Sequence, residues 1–417
     1  MATTRRRFIQ TAAAGSLTYF LPTWSLSASA AADSPSEKIR IGCIGMGGQG
    51  NSNLKALLKN VVAVCDVDSK HLATAKATVD KANGSCIAFS DYRKLLDSKD
   101  IHAVVVSTPD HWHAKITVDA CNAGKHVYCE KPLTLTVAEG RAIVDAARKN
   151  NRTVQTGSQQ RSAGNFRLAC ELVRNGYIGT VKEVKVGIPG PNFKGPAVPD
   201  SEAPKELDYE FWLGPAPKRP YNEKRVHYLF RFFWDYSGGQ MTNWGAHHLD
   251  IAQWGLGMDE SGPISVDGKA TFNKDKMFET PEKQEIIYTY ANGVKMTCSM
   301  SEKGGTTFIG EKGSIHVNRG KLESDPPEII KQKIKESEIH LVASGNHHGN
   351  WLDCIKSGKL PICDAEVGHR SATVCHLGNI ACRLGRKIAW DPVKETIADD
   401  KEAAAMLSKP YREPWKL

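Results

Sequence analysis

With 417 residues the chain has room for two domains, and 41% hydrophobic content with mixed charges marks a globular protein rather than a fibrous or membrane-spanning one. The net charge of +9 falls to +6 without Arg5, Arg6 and Arg7, and no basic run or basic–aromatic stripe remains, which argues against nucleic-acid binding. The eleven cysteines are odd in number and form no C-x-x-C pair; Cys43, Cys65 and Cys129 fall in apolar runs and read as small core residues rather than a disulfide framework.

Residues 1–32 differ from the rest. Thr4-Arg-Arg-Arg-Phe-Ile-Gln10 opens a stretch without acids, an apolar run reaches Leu21, and Ala28-Ser-Ala30 offers a cleavage site. The run is too short and broken for a permanent span, so no stable membrane span is expected. The segment resembles a twin-arginine export signal, which implies a periplasmic protein exported already folded. Export in the folded state also suits a chain full of free thiols.

From Ile39 the pattern alternates strand and helix. Ile39–Ile44 is a continuous apolar strand, Gly45–Gly50 a glycine turn opening a helix through Leu54 and Leu58, and Val61–Asp66 a second strand. Asp68 or Ser69 caps the next helix. Short strands follow at Cys86–Phe89, Ala103–Ser107, His126–Cys129 and Thr153–Thr156, with helices between them, one over His113–Ala123 and one from Val137 capped by Thr136. Continuous apolar strands separated by helices predict a parallel, doubly wound α/β sheet of the Rossmann type over residues 38–160.

Residues 161–417 read differently. A helix over Phe166–Arg174 precedes an alternating strand, Val181–Val186, and a Pro- and Gly-rich loop from Pro189 to Pro220. Glu285–Ala291, Asn292-Gly293 and Val294–Ser299 give a hairpin, because Asn-Gly suits a type I′ turn. Thr306–Ile309 and Ser314–Val317 are further strands, and Asn350–Lys356 and Gly368–Leu384 are late helices. This half is predicted as α+β with an open, mainly antiparallel sheet, whose exposed face suggests a homo-oligomer.

The glycine turn carries the first chemistry. In Gly45-Met46-Gly47-Gly48-Gln49-Gly50, glycines permit a tight turn and close phosphate approach, with helix-terminal N–H groups facing a pyrophosphate. Asp66, about twenty residues on, would accept from both ribose hydroxyls and repel a 2′-phosphate, which favours NAD over NADP; Lys70 and His71 weaken that preference slightly. A strand before the motif and a helix after it make a merely structural turn the weaker reading.

These residues, with Thr108-Pro109 and His113, Ala123–Val127 and Glu130-Lys131-Pro132, resemble the Gfo/Idh/MocA oxidoreductase family over essentially the whole chain after the leader. The resemblance implies a nicotinamide cofactor, a sugar or cyclic polyol substrate, and Lys131 as the group that polarises the reacting oxygen. Glu130 would pair with Lys131 or orient it, and Pro132 would stiffen the backbone that aims it. Family members carry Asp-x-x-x-His where this chain has Asn243 and His247. His247 is thus expected as the base, while Asn243 supplies no charge; Asp250 or Asp235 takes over, or the chemistry needs a weaker base. Asn243 is otherwise a substrate contact.

Thr108, Pro109, His113, Glu130 and Gln160 are expected at the cofactor, with Gln159 near it. Arg161, Tyr221, Arg231, Asn243, His247 and His248 are expected at the substrate, although each aromatic or basic group reads equally well as packing. His247-His248-x-Asp250 and His111-x-His113 lack a metal-site pattern, so no metal is expected. Outside the cytoplasm free NAD is not maintained, so the cofactor must be folded in and regenerated within one cycle. A second carbonyl substrate would do this. So would a transient 3-keto sugar that permits elimination and is then reduced back, as in NAD-dependent glycosidases of the family. The competing class is a sugar-binding protein with a degenerate site, which Asn243 favours and Lys131 and His247 oppose.

Overall fold

The computed structural model describes residues 38–193, 196–275 and 277–417; the expected leader lies outside them. β1 (Ile41–Ile44), α1 (Gly48–Ala56), β2 (Val61–Cys65), α2 (Ser69–Asn83), β3 (Ile87–Phe89), α3 (Tyr92–Asp97), β4 (Ala103–Val106), α4 (Asp110–Asn122), β5 (His126–Cys129), α5 (Val137–Lys149) and β6 (Val154–Thr156) form the first layer system. Its strands are all parallel in the order β3-β2-β1-β4-β5-β6. Because both faces are covered, β1 and β4 are buried along their whole length, which is why they read as unbroken apolar runs. The strand order reverses between β1 and β4, the place where a crevice opens at the carboxyl ends. Helix starts follow local chemistry: Asp68 accepts from Lys70 and His71 N–H, and Thr136 with Glu139 makes a reciprocal capping box.

The second half runs α6 (Gly164–Arg174), β7 (Val181–Gly187), α7 (Tyr209–Leu213), α8 (Ala246–Leu256), β8 (Ser265–Phe272), β9 (Pro281–Thr289), β10 (Lys295–Ser299), β11 (Gly305–Gly310), β12 (Gly313–Asn318), β13 (Lys321–Asp325), α9 (His347–Ser357), α10 (Ala365–Leu384), β14 (Ile388–Ala389) and α11 (Lys401–Ala405). Its sheet has the order β13-β12-β11-β7-β10-β9-β8-β14 and is antiparallel except where β7 lies parallel to β10. Along β9, buried and exposed residues alternate: one face packs on α8 and α10 while the other stays open. The loop expected from Pro189 to Pro220 is interrupted by α7, which Asp208 caps.

α10 joins the two halves. Arg141 on α5 forms two-point ion pairs with Glu366 and Glu395, and Arg148 pairs with Asp364. A Cβ at Gly368 would fall 1.9 Å from Thr156 Oγ1 on β6, so the helix approaches the first sheet at van der Waals distance. All eleven cysteines are buried and unpaired, as expected of core residues. Among the described residues, no helix is long and apolar enough to cross a membrane.

Candidate active site

A cavity of about 560 Å³ opens at the β1/β4 switch point, lined by Gly45, Gly47, Gly48, Gln49, Asp66, Thr108, Pro109, His113, Glu130 and Lys131. Gly45 has φ +85°, and a Cβ there would fall 2.7 Å from the Thr108 nitrogen; a Cβ at Gly50 would fall 1.8 Å from the Gly45 oxygen. These two glycines let the turn close on β4. Gly47 and Gly48 meet nothing, leaving backbone open toward the cavity. Met46 departs from expectation: its side chain is buried in the core under the sheet, and only its N–H faces inward, donating to Asp66 Oδ2 at 2.5 Å.

Asp66 Oδ1 accepts from Asp68 N–H at 2.8 Å, so two backbone bonds fix the carboxylate at the cavity wall. Burial pushes its pKa up while those bonds pull it down. Thr108 Oγ1 is buried without a partner among the described residues. Open glycine amides, a fixed acid and a spare hydroxyl suit a dinucleotide.

The chain from the second half closes the acid's end of this cavity. Asp68 and Leu207 form an antiparallel bridge, Ser69 N–H donates to Glu206 O (2.9 Å), and Asp208 N–H to Val67 O (3.0 Å). Lys70 pairs with Glu206, and the His71 and His227 rings meet edge-on at 5.1 Å. His227 holds φ +50°, an uncommon conformation for a side-chain-bearing residue.

Lys131 follows β5, and His113 braces the turn that carries it. The His113 ring nitrogens lie 2.7 Å from Pro132 O and 2.9 Å from Thr108 O. Both neighbours only accept, so both nitrogens must donate and the ring is an imidazolium. Burial works against that charge; the Cys129 sulfur, Asp110 and the Pro132 carbonyl outweigh it and raise the pKa to about 10. Thus His113 acts through the backbone of both loops.

Lys131 Nζ donates to Asn243 O at 3.0 Å and to Asn243 Oδ1 at 2.9 Å. An ammonium has three donors, and the third stays unspent among the described residues. Burial drives the Lys131 pKa down to about 8, opposed by Glu130 and Asp110 and reinforced by Arg231 and Arg319. Glu130 makes no hydrogen bond to the Lys131 ammonium. Its Oε1 accepts from Gln49, Asn53 and Gln159, and Oε2 from the Lys131 main-chain N–H. It ties the glycine turn to the lysine turn, and a Cβ at Gly157 would fall 2.9 Å from its carboxyl group.

A second cavity, about 670 Å³, shares Gln49, Glu130, Lys131, Tyr228 and Arg231 with the first and adds Gln160, Asn243, Trp244, His247, Arg319 and His348. Asn243 sits in a π-helical turn, Met241–Gly245, that runs into α8, an irregularity common at functional sites. Its Nδ2 donates to Gln240 Oε1 at 3.0 Å, so the amide spans Lys131 and Gln240 and does not orient His247. His247 Nδ1 is buried with no partner among the described residues. Burial, then the charges of Lys131 and Arg319, hold His247 well below the usual imidazole pKa, and it is neutral.

Several expected substrate contacts lie elsewhere. Arg161 is fully buried in a two-point ion pair with Asp250 and a further bond to Asp259 at 2.7 Å. Asp250 also accepts from Ser371, so it cannot serve His247; Asp235 is likewise held by Arg219. His248 is buried beneath Trp244, stacked at 5.7 Å, and faces neither cavity. Tyr221 packs edge-on against Tyr209 away from the site. Gln160 lines the second cavity rather than the cofactor cleft, with both amide atoms unpartnered among the described residues. Sequence reasoning missed Asn53, Trp244 and Arg319, which no motif marks.

Residues 39–158 match the model of an oxidoreductase family's NAD-binding Rossmann fold, and residues 173–417 match that family's C-terminal alpha/beta domain. Inositol 2-dehydrogenase of Salmonella typhimurium is 30% identical over 189 residues, 42% of this chain and 54% of that protein. A glycosyl hydrolase family 109 protein of Shewanella sp. is 30% identical over 201 residues, covering 42% of this chain and 43% of its own length. The matches thus span about half the length of these curated relatives or less. The WlbA dehydrogenase of Bordetella pertussis, solved with NADH and UDP-GlcNAcA, superposes at TM-score 0.62 with 20% identity, covering 85% of this chain and 99% of that one.

Proposed function

We propose that this chain, which belongs to the Gfo/Idh/MocA oxidoreductase family, moves hydride between NAD(H) and a hydroxyl-bearing carbon of a sugar or glycoside. The observation that carries the reading is Lys131, which lines both cavities and has one N–H without a partner among the described residues. Nicotinamide, when bound, supplies the hydride acceptor or donor. Lys131 then hydrogen-bonds the substrate oxygen and stabilises its alkoxide character. Neutral His247 takes the hydroxyl proton in oxidation and returns it in reduction. Asn243 aims the ammonium without adding charge.

The finer reading is that the cofactor stays bound through the cycle in an exported protein. Its support is the bridge from Glu206–Asp208 to Val67–Ser69, which covers the Asp66 end of the cavity. The leader adds a reason for such retention. Self-association through the open face of the second sheet, where Ile287 and Phe272 are exposed, belongs to the same reading. Native purification followed by mass analysis tests retention: bound NADH that a carbonyl sugar oxidises, or bound NAD that a sugar reduces, supports it, whereas nucleotide-free protein overturns it.

Likeness to the family 109 hydrolase favours a second reading, in which a transient 3-keto sugar allows loss of the glycosidic group before reduction back. Release of aglycone without net change in bound NAD separates the two.

A further inference from the structure

The second cavity gathers three positively charged groups and a single carboxylate. Lys131, Arg231 and Arg319 line it, and none of them forms an ion pair among the described residues. Its one carboxylate, Glu130, accepts only from neutral donors, those of Gln49, Asn53, Gln159 and the Lys131 main chain, and offsets only part of the positive charge. Asn243 and His247 on the same wall are neutral. An excess of like charge costs folding energy, and a ligand of opposite sign removes that cost.

Arg319 is built as an anchor. It sits at the tip of the β12–β13 hairpin, where Gly320 turns with φ +68°. Asn165 Nδ2 donates to the carbonyls of Asn318 and Lys321, and Asn318 Nδ2 to Gly304 O, pinning the tip to α6 and β11. The Arg319 guanidinium lies 4.7 Å over the Trp244 ring, which itself rests on His248. This contact seats the group, and its N–H donors have no partner among the described residues, so they can meet a carboxylate or phosphate two-point. Arg231 is similarly seated over Tyr228 (4.6 Å) and Phe230 (4.7 Å).

We infer that the substrate is an anionic sugar, carrying a carboxylate or a phosphate, whose charge Arg319 and Arg231 take while its reacting hydroxyl lies at Lys131. This rests on the oxidoreductase reading and names its substrate class. Arg231 also lines the first cavity and would serve a dinucleotide phosphate as well, so Arg319, which lines only the second, is the discriminating residue. Burial is the main cause of the depressed pKa values of Lys131 and His247, and Arg319 adds to it in each case, while Glu130 and Asp110 offset only part of the field at Lys131.

The test uses the full chain with its cofactor. Calorimetric binding and turnover are measured with methyl hexosides, the matching methyl hexosiduronates and hexose 6-phosphates in the gluco, galacto and manno series. At least one anionic member is expected to bind about tenfold or more tighter than its neutral counterpart, an advantage that shrinks with salt. Arg319→Gln should remove about tenfold of that advantage, and Arg319→Lys should restore part of it. The uronate and phosphate arms tell which anion is taken. Equal binding of neutral and anionic sugars, no binding by any anionic member, or an equal loss for both classes in Arg319→Gln overturns the inference. Oxidation of neutral sugars with no charge preference would leave the oxidoreductase reading standing, whereas Arg319-dependent anion binding without hydride transfer would remove that reading and leave this one.

Discussion

Lys131 and Asn243, 112 residues apart, are joined by two hydrogen bonds, from Nζ to the asparagine's main-chain and side-chain oxygens at 3.0 and 2.9 Å. The contact crosses from the end of β5 to the π-helical turn before α8, so the two halves of the fold meet at the charge assigned to the chemistry. Lys131→Met should keep the cofactor bound and lower turnover by about 10³ or more, since a charge aimed at a developing oxyanion is lost. Turnover assays with nucleotide quantified in the same sample check this.

The same contact sets a pH dependence. With a pKa of about 8, Lys131 is charged at neutral pH and neutral above it, so kcat/KM should fall as pH rises through about 8. His247, held well below the usual imidazole value, adds no limb between pH 6 and 7, roughly where an ordinary histidine titrates. Asn243→Asp places a negative charge beside the ammonium and should move the falling limb upward by about one unit. A pH profile of both proteins decides it.

Asp66→Ala should relax cofactor choice. The carboxylate lines the cavity proposed for the cofactor, and removing its charge should raise NADP affinity relative to NAD by about tenfold or more. Titration of nucleotide-stripped protein with each cofactor measures the ratio.

Arg161 and Asp250 are both fully buried, and their role is structural. Asp250→Ala leaves the guanidinium with only the partly exposed Asp259 and should cost about 3–5 kcal/mol of stability. Urea unfolding reads the loss. Replacing both partners with apolar residues should recover most of it.

Much of the fold was legible in the chain. Four-residue apolar runs such as Ala103–Val106 can only be strands buried on both faces, and glycines at 45 and 50 announce a turn that cannot carry a Cβ. Lys131 stood out through the Glu130-Lys131-Pro132 triplet that carries the family resemblance. What failed was side-chain direction. Arg161, His248 and Asp250 adjoin site residues in sequence, yet packing turns them inward, and a one-residue step on a helix rotates a side chain by about 100°. Arg319 was invisible for the opposite reason: a hairpin tip carries it to the cavity from far along the chain, and an arginine before a glycine is an ordinary turn. β8 also escaped notice, since its alternation breaks at Gly268, where a Cβ would fall 2.8 Å from the Cys382 nitrogen of α10.

In the proposed reaction hydride passes directly between a sugar carbon and a bound nicotinamide beside Lys131. The most direct measurement is a single turnover of the nucleotide-loaded protein with carbon-deuterated sugars in ordinary water, followed by mass analysis of the nucleotide. One deuterium is expected on the reduced ring in the native protein and none with Lys131→Met. Reduced nucleotide without label, or a label retained entirely in a converted sugar, would contradict it.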